Sequence, residues 1–508
     1  MSCERTVNAR RAGESSSFGW TPSAAEEGLD ELEVTTYKLN LNSCRRNRFT
    51  QPETALPVDA LCDVVLRANA ALAPVEAGEK VDLAYDPFST EVQRDPYPYY
   101  ARLRAGAPLY RVESADAWAI SRYSDVLHVL KTPEVFSSRA MQDFLAGGIR
   151  RGRSDDIAAG FGSLMEGRAL ISADPPDHTR LRHLVNRGFT PQRVQQLEAR
   201  IRDITRRCLT GIADRCQMDL VADFAVPIPV TVIAELLGVP AERFPDFKRW
   251  SDAVVQGVSL GRSRSATPEL LADLTEFVMF LSALIESRKS EPKDDLISVL
   301  VAKEEGGALS FEELMMFAIV MLVAGNETTT NLLANTVNLL LDRPDDLAEV
   351  TANPALIPGL VEEALRFVSP IQMLPRLVLR DTEIAGGRLE EGQTVLVLFA
   401  SANRDERQFP RGDEFDLHRN PKDHVAFGFG IHYCLGAALA RLEGRVALEE
   451  LFARLVRLRR GEGTIEYLET GLLRGPKSLP LLFEPARDES LAYDAQGAAA
   501  GSLPHRPR

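Results

Sequence analysis

The stretch Phe427-Gly428-Phe429-Gly430-Ile431-His432-Tyr433-Cys434-Leu435-Gly436 constrains this chain more tightly than any other. Two glycines within three residues permit positive-φ backbone and close approach to a flat ligand. Apolar periodicity from Leu435 to about Leu458 predicts a long amphipathic helix directly behind the cysteine. Cys434 then lies at the positive end of that helix, where backbone N–H groups lower a thiolate's pKa and hydrogen-bond its sulfur. A buried structural cysteine in a glycine-rich loop fits the same spacing. Other segments have to choose between the two.

Composition narrows the classes. The 508 residues exceed one ordinary domain, although an all-helical enzyme wrapped around a large cofactor reaches that length. A formal net charge of −14 argues against a general nucleic-acid binder, whose footprint is basic. Cys3, Cys44, Cys62, Cys208, Cys216 and Cys434 form no CxxC pair, which fits a reducing cytoplasm where most thiols are free. The longest apolar run, Met315 to Ala324, is broken by Gly325-Asn326-Glu327, short of the roughly 18 residues a membrane span needs. No apolar signal core opens the chain. The expectation is a soluble cytoplasmic protein, with no membrane span and no nucleic-acid partner.

Three regions are predicted. Residues 1–80 are polar and weakly periodic, an extension outside the catalytic fold; 81–487 form one mainly α domain with a minor β-sheet region; 488–508 read as a disordered tail. Within the domain, Pro108–Glu113 and Trp118–Ser121 read as a hairpin, and Arg376–Val378 and Gln393–Phe399 as a second β patch. Long helical patterns fill His178 to Val368.

Three further segments bear on the cysteine. Ala324-Gly325-Asn326-Glu327-Thr328-Thr329-Thr330 lies inside a helix expected from about Phe311 to Leu341. Glycine and β-branched threonine are both unfavourable there, and threonine hydroxyls can bond back to carbonyls one turn earlier. A kinked helix and a cleft facing a cofactor both fit. Glu363 and Arg366 stand three apart on a helix beginning near Pro358, a pairing common on any helix surface. His178 and Arg182 stand four apart and share one helix face.

Together these segments resemble the cytochrome P-450 family. Phe427, Gly430, His432, Cys434 and Gly436 match its haem-ligand loop, F-x-x-G-x-H/R-x-C-x-G. Ala324, Gly325, Glu327, Thr328 and Thr329 match its oxygen-activation motif. Glu363 and Arg366 match its E-x-x-R, and His178 with Arg182 the bacterial H-x-x-x-R. The resemblance runs from about Leu83 to Glu484, with residues 1–80 outside it.

It implies a triangular helical prism around a buried haem b, with Cys434 as axial iron ligand. Phe427 would pack over the sulfur, and His178, Arg182, Arg376 and His432 would reach the propionates. Ala324 and Gly436 would lie against the cofactor, and Glu327 and Thr328 would pass protons to bound dioxygen. Glu363, Arg366 and Arg419 would form a structural ion pair. Val323, Met373, Leu374 and Leu472, with apolar positions such as Leu145, Ile149, Phe161, Leu164 and Met165, would line the substrate pocket. The implied enzyme is a haem-thiolate monooxygenase of secondary metabolism. It hydroxylates or epoxidises a hydrophobic substrate: a terpenoid, steroid, fatty acid or polyketide.

No flavin or iron–sulfur module is visible, so electrons from NAD(P)H would arrive through a reductase and a separate ferredoxin or flavodoxin. Arg180, Arg187, Arg193, Arg441 and Arg445 are expected to form a positive face for that donor, and the enzyme to act as a monomer. The rival readings are an idle recruitment scaffold and a haem sensor; neither needs Cys434 together with Glu327-Thr328.

Overall fold

Helices of 3.6-residue periodicity dominate because the apolar positions repeat at helical spacing through most of the chain. The structure, a computed structural model, describes residues 84–145, 169–259, 267–302 and 309–486. The chain divides into two units, Met1–Ala73 and Pro74–Arg508, of which the first lies outside the described residues. So do the expected extension 1–80, the tail 488–508 and the candidates Ile149, Phe161, Leu164 and Met165.

Eleven described helices have nine or more residues. They are α1 (Tyr97–Gly106), α2 (Tyr123–Lys131), α3 (Asp177–Asn186), α4 (Glu198–Thr210), α5 (Pro227–Leu237) and α6 (Phe244–Ser259). They continue with α7 (Pro268–Ser290), α8 (Phe311–Leu341), α9 (Pro344–Ala352), α10 (Ile357–Phe367) and α11 (Ala437–Arg454). The 31-residue α8 starts where expected because Ser310 and Glu313 close a capping box. Its buried residues, among them Leu314, Phe317, Leu322, Leu333 and Leu340, fall on several faces, so α8 runs through the core rather than over it.

The minor sheet takes the expected place. β1 (Leu109–Val112) and β2 (Ala117–Ile120) form the predicted hairpin. β3 (Phe136–Ser137), β5 (Leu374–Val378) and β8 (Thr394–Val397) extend it in the order β1-β2-β8-β5-β3. A separate sheet joins β4 (Gln217–Asp219), β10 (Pro480–Pro485) and β9 (Leu455–Arg460). The pair β6 (Thr382–Ile384) and β7 (Gly387–Leu389) is a hairpin of its own.

One expectation is corrected here. The helix behind the cysteine was expected to reach Leu458, but it stops at Arg454, and Leu455–Arg460 pairs with β10 instead. Pairing with a distant strand satisfies that backbone, and local periodicity cannot see it. Among the described residues Cys208 and Cys434 are free thiols. No helix among the described residues is long and apolar enough to cross a membrane.

Candidate active site

The cysteine loop is shaped by its glycines. Gly428 and Gly430 both adopt φ of +69°, and a Cβ at Gly430 would lie 2.7 Å from the Leu130 carbonyl oxygen. Only glycine fits there without displacing α2. The Cys434 N–H donates to the Phe427 carbonyl at 2.9 Å, closing the loop. The guanidinium of Arg441 lies 4.5 Å from the centre of the Phe427 ring and covers it.

The expected lowering of the thiol's pKa is not what the structure produces. Burial pushes the Cys434 thiol up, against the opposing pulls of the Gly436 backbone, Arg182 and Arg441. The Gly436 backbone, at the N-cap of α11, does pull the thiol down as expected, but burial outweighs it.

Cys434 opens into a cavity of about 260 Å³. Its lining is largely apolar, with Leu170, Ile171, Ile233, Phe317, Val320 and Leu374. Arg182, Arg376 and His432 also line it. His178 packs against His432 with ring centroids 4.3 Å apart. The Nε2 atoms of both imidazoles are buried without a partner. Arg376 donates to the Pro375 carbonyl, and neither it nor Arg182 forms an ion pair among the described residues. Burial pulls Arg376 down to about 10. Burial, then the positive Arg376, lowers His432 to about 3. Two buried imidazole nitrogens without a partner, beside two guanidiniums without a carboxylate, are costly unless an anion completes them. They fit a flat apolar cofactor with acidic arms, with Cys434 as its sulfur ligand: haem b.

α8 forms another wall. Ala324, Gly325, Thr328 and Thr329 line the cavity. The helix is continuous rather than broken at Gly325. That residue is small because Ile233 of α5 packs on it: an added Cβ would lie 2.7 Å from Ile233 Cδ1. The Thr328 hydroxyl donates back to the Ala324 carbonyl at 2.5 Å. Asn326 donates to Ser251 Oγ of α6 at 3.2 Å, which fixes the segment from the outside. Burial, and then Asp252, push the Glu327 carboxyl up, so it holds its proton at higher pH than an ordinary glutamate. Glu327 itself is not among the cavity-lining residues.

Not every expected residue meets the cavity. Cys434, Arg182, Arg376, His432, Phe427, Gly436, Ala324, Thr328 and Leu374 do. Val323, Met373 and Leu472 do not line it, and Met373 packs instead in a core cluster with Tyr85 and Tyr100. Glu363 and Arg366 are sealed in the interior, with Arg419 joining them at 3.2 Å. The arginines expected to make a positive face are engaged. Arg180 pairs with Glu313, Arg193 with Asp294, Arg441 with Glu362, and Arg445 with Glu198 and Glu449. Arg187 donates to the Leu184 carbonyl. The cavity also includes Glu443 of α11, which the sequence reading missed; only its position nine residues beyond the cysteine hinted at it.

A cysteine at the floor of an apolar cavity, with threonines in a facing helix and unpaired cations at the rim, defines a haem-thiolate site. A family model for cytochrome P450 matches residues 355–483. Cytochrome P450 107B1 of Saccharopolyspora erythraea is 38% identical over 418 residues, covering 80% of this chain and 98% of that protein. The vitamin D(3) 25-hydroxylase of Pseudonocardia autotrophica is 39% identical over 408 residues, 79% of this chain and 97% of the relative. The solved structure of CYP109Q5 from Chondromyces apiculatus matches with a TM-score of 0.71 and 39% identity, over 80% of this chain and 99% of that one. The chain belongs to the cytochrome P450 family. It is a P450 monooxygenase, of a family whose members bind haem b, use dioxygen and take electrons from redox partners.

Proposed function

We propose that this enzyme inserts one oxygen atom from dioxygen into a rigid hydrophobic small molecule of the steroid class, by hydroxylation, with epoxidation as the variant on an alkene. The observation that carries the reading is the single cavity in which Cys434, Thr328 and the Arg182–Arg376–His432 cluster meet. The mainly apolar lining favours a hydrophobic ligand. Two solved relatives support the class: CYP109E1 of Bacillus megaterium in complex with testosterone, and the same enzyme with corticosterone, each 34% identical to this chain.

Cys434 is assigned as the sulfur ligand of the iron, and Phe427 shields it. Arg182, Arg376, His178 and His432 would hold the acidic arms of the haem by charge-assisted hydrogen bonds. Haem supplies the iron at which dioxygen is reduced. Thr328 holds a proton at its hydroxyl beside that position, and Glu327, half-buried near Asp252 of α6, replenishes it. Ile233, Phe317, Val320 and Leu374 exclude water from the substrate.

The catalytic unit is residues 81–487, acting as a cytoplasmic monomer. Electrons come from NAD(P)H through a reductase and a separate ferredoxin or flavodoxin. An acidic donor docking near Arg441 and Arg445 competes with Glu362, Glu198 and Glu449 for those arginines.

The test is the optical spectrum of the reduced protein under carbon monoxide, followed by titration with testosterone. The expected result is the strongly red-shifted Soret band of a haem thiolate, with a spin-state shift on adding the steroid. A protein that binds no haem would be a scaffold. A histidine-type band would remove Cys434 from its role, and a haem-thiolate band with no spin-state shift would remove the steroid class.

A further inference from the structure

One wall of the cavity comes from the short segment between α10, which ends at Phe367, and β5, which begins at Leu374. Pro370, Ile371 and Leu374 line the cavity there. The two residues between Ile371 and Leu374 turn the other way. Gln372 is 3% exposed and Met373 1%, neither lines the cavity, and Met373 packs with Tyr85 and Tyr100. An apolar cavity offers this irregular backbone no hydrogen bonds, so whatever fixes the wall has to act from behind it.

Every polar atom of Gln372 is engaged on that hidden side. Its N–H donates to the Leu472 carbonyl at 2.6 Å, and its carbonyl accepts from the Ala400 amide at 3.2 Å. Its Nε2 donates to the Ser369 carbonyl at 2.7 Å, and its Oε1 accepts from the Tyr100 hydroxyl at 3.2 Å. One residue thus ties the wall to α1, to the end of α10, to the segment after β8 and to the loop around Leu472. Asn335 of α8 braces the same wall: its Nδ2 donates to the carbonyls of Val368 and Arg474, and the Arg474 N–H donates to the Pro370 carbonyl at 2.8 Å. Alanine at position 372 would keep the two main-chain bonds but take a buried partner from both Tyr100 and Ser369.

We propose that Gln372 is a specificity-determining positioning residue of this site, which holds Ile371 and Leu374 against the cavity from behind and so fixes its width. This rests on the reading of the cavity as the substrate site. Gln372 does not touch the substrate; it acts through the two side chains that do. A wall clamped at several points does not give way to a ligand, so it selects by shape. A rigid fused-ring molecule that matches the wall loses little freedom on binding, whereas a flexible chain has to be ordered first. Releasing the clamp lets Ile371 and Leu374 recede, which weakens ligands that reach the wall and lets them sit in more than one orientation. A ligand too small to reach the wall is unaffected.

The test uses the full-length holoenzyme as wild type, Q372A and Y100F, the last removing only the hydroxyl that donates to Gln372. Three probes are titrated by their optical shifts: imidazole, which binds iron without reaching the wall, phenylimidazole, and testosterone. The carbon monoxide spectrum of Q372A should match that of the wild type. Testosterone and phenylimidazole should bind about tenfold more weakly to Q372A and imidazole within about twofold of wild type, the scale of a lost buried hydrogen bond felt only at the wall. Y100F should weaken the same two ligands by a smaller factor. With a surrogate ferredoxin and reductase, Q372A should spread hydroxylation over more positions of the steroid than the wild type does. Wild-type affinities and product pattern in Q372A would overturn the proposal, and so would equal weakening of all three ligands, which marks general damage to the fold. If Q372A does not hold haem, the same ligand comparison on Y100F decides. A wild type that binds phenylimidazole but shows no shift with testosterone would instead sink the steroid reading, and the two azoles then decide the role of Gln372.

Discussion

Arg366 and Glu363 form a two-pronged pair with no solvent exposure: Nε donates to Oε2 and Nη2 to Oε1, each at 2.7 Å. The remaining donors of Arg366 reach the carbonyls of Asn403, Gly412 and Glu414, and Glu363 also accepts from Arg419 and the Asp416 amide. A buried pair repays its desolvation only when every donor is satisfied in this way. It pins the segment between β8 and the cysteine loop to α10.

Removing one partner leaves the other charge buried alone. E363A is expected to cost about 3–5 kcal/mol of folding free energy. R366K should also destabilise, since lysine cannot reproduce the planar fork. Urea denaturation followed by circular dichroism measures both. A loss below about 1 kcal/mol in E363A would mean that the loops beyond the pair are held by packing alone.

Arg376 predicts a split between the protein without haem and the protein with it. It is an unpaired guanidinium, 5% exposed, whose charge is disfavoured by burial. R376A should therefore stabilise the haem-free chain while weakening haem retention by about 10- to 100-fold, the worth of one charge-assisted hydrogen bond. Haem transfer to apomyoglobin reports the second effect, and thermal unfolding of the stripped protein the first. Equal changes in both would argue that Arg376 does not face the cofactor.

The Glu327–Thr328 pair should govern coupling, not binding. T328V keeps the branched shape and removes the hydroxyl that donates to Ala324. It is expected to leave the carbon monoxide spectrum and steroid titration unchanged and to divert most electrons to peroxide. E327Q should slow oxygen-dependent turnover by about 100-fold. Because Glu327 is pushed up, wild-type proton delivery should hold at mildly acidic pH and decline as pH rises through its folded pKa. Stopped-flow decay of the oxygenated enzyme across pH, compared with E327Q, would show whether that decline belongs to this acid.

Acid stability should depend on Glu450. Burial pushes this carboxyl up, but hydrogen bonds from Arg206, Arg202 and Arg454 outweigh it and bring it down to about 2. A depressed carboxylate stabilises the fold above its unfolded pKa of 4.5 and loses that contribution as pH falls toward 2. At about 1.4 kcal/mol per unit, the contribution is on the order of 3 kcal/mol. The gap in stability between wild type and E450Q should be full at pH 6 and close progressively below about pH 4.5. A gap that stays constant down to pH 3 would show that the arginines are satisfied without the charge.

Much of the site was legible because it is written in short, contiguous segments. Cys434 with its glycines, Thr328 beside Glu327, and Glu363 three before Arg366 each depend on local spacing. α8 was readable to its ends because a capping box marks its start. Val323, Met373 and Leu472 were placed in the pocket from their chain positions, yet their side chains miss the cavity, since facing is decided by packing. The same limit hid the strand at Leu455 and the pairing of the surface arginines.

By itself the sequence determined the helical class, the glycine-shaped cysteine loop and the acid–threonine segment, because periodicity, glycine conformations and motif spacing are properties of neighbouring residues. Tertiary structure alone decided which charges stand unpaired. It left Arg376 without a carboxylate, gave Glu450 three arginines, and set Glu443 against Thr329 with one oxygen unanswered. The physical reason is that the cost of a charge depends on its desolvation and its partners. Both come from residues far apart in the chain that only the fold brings together.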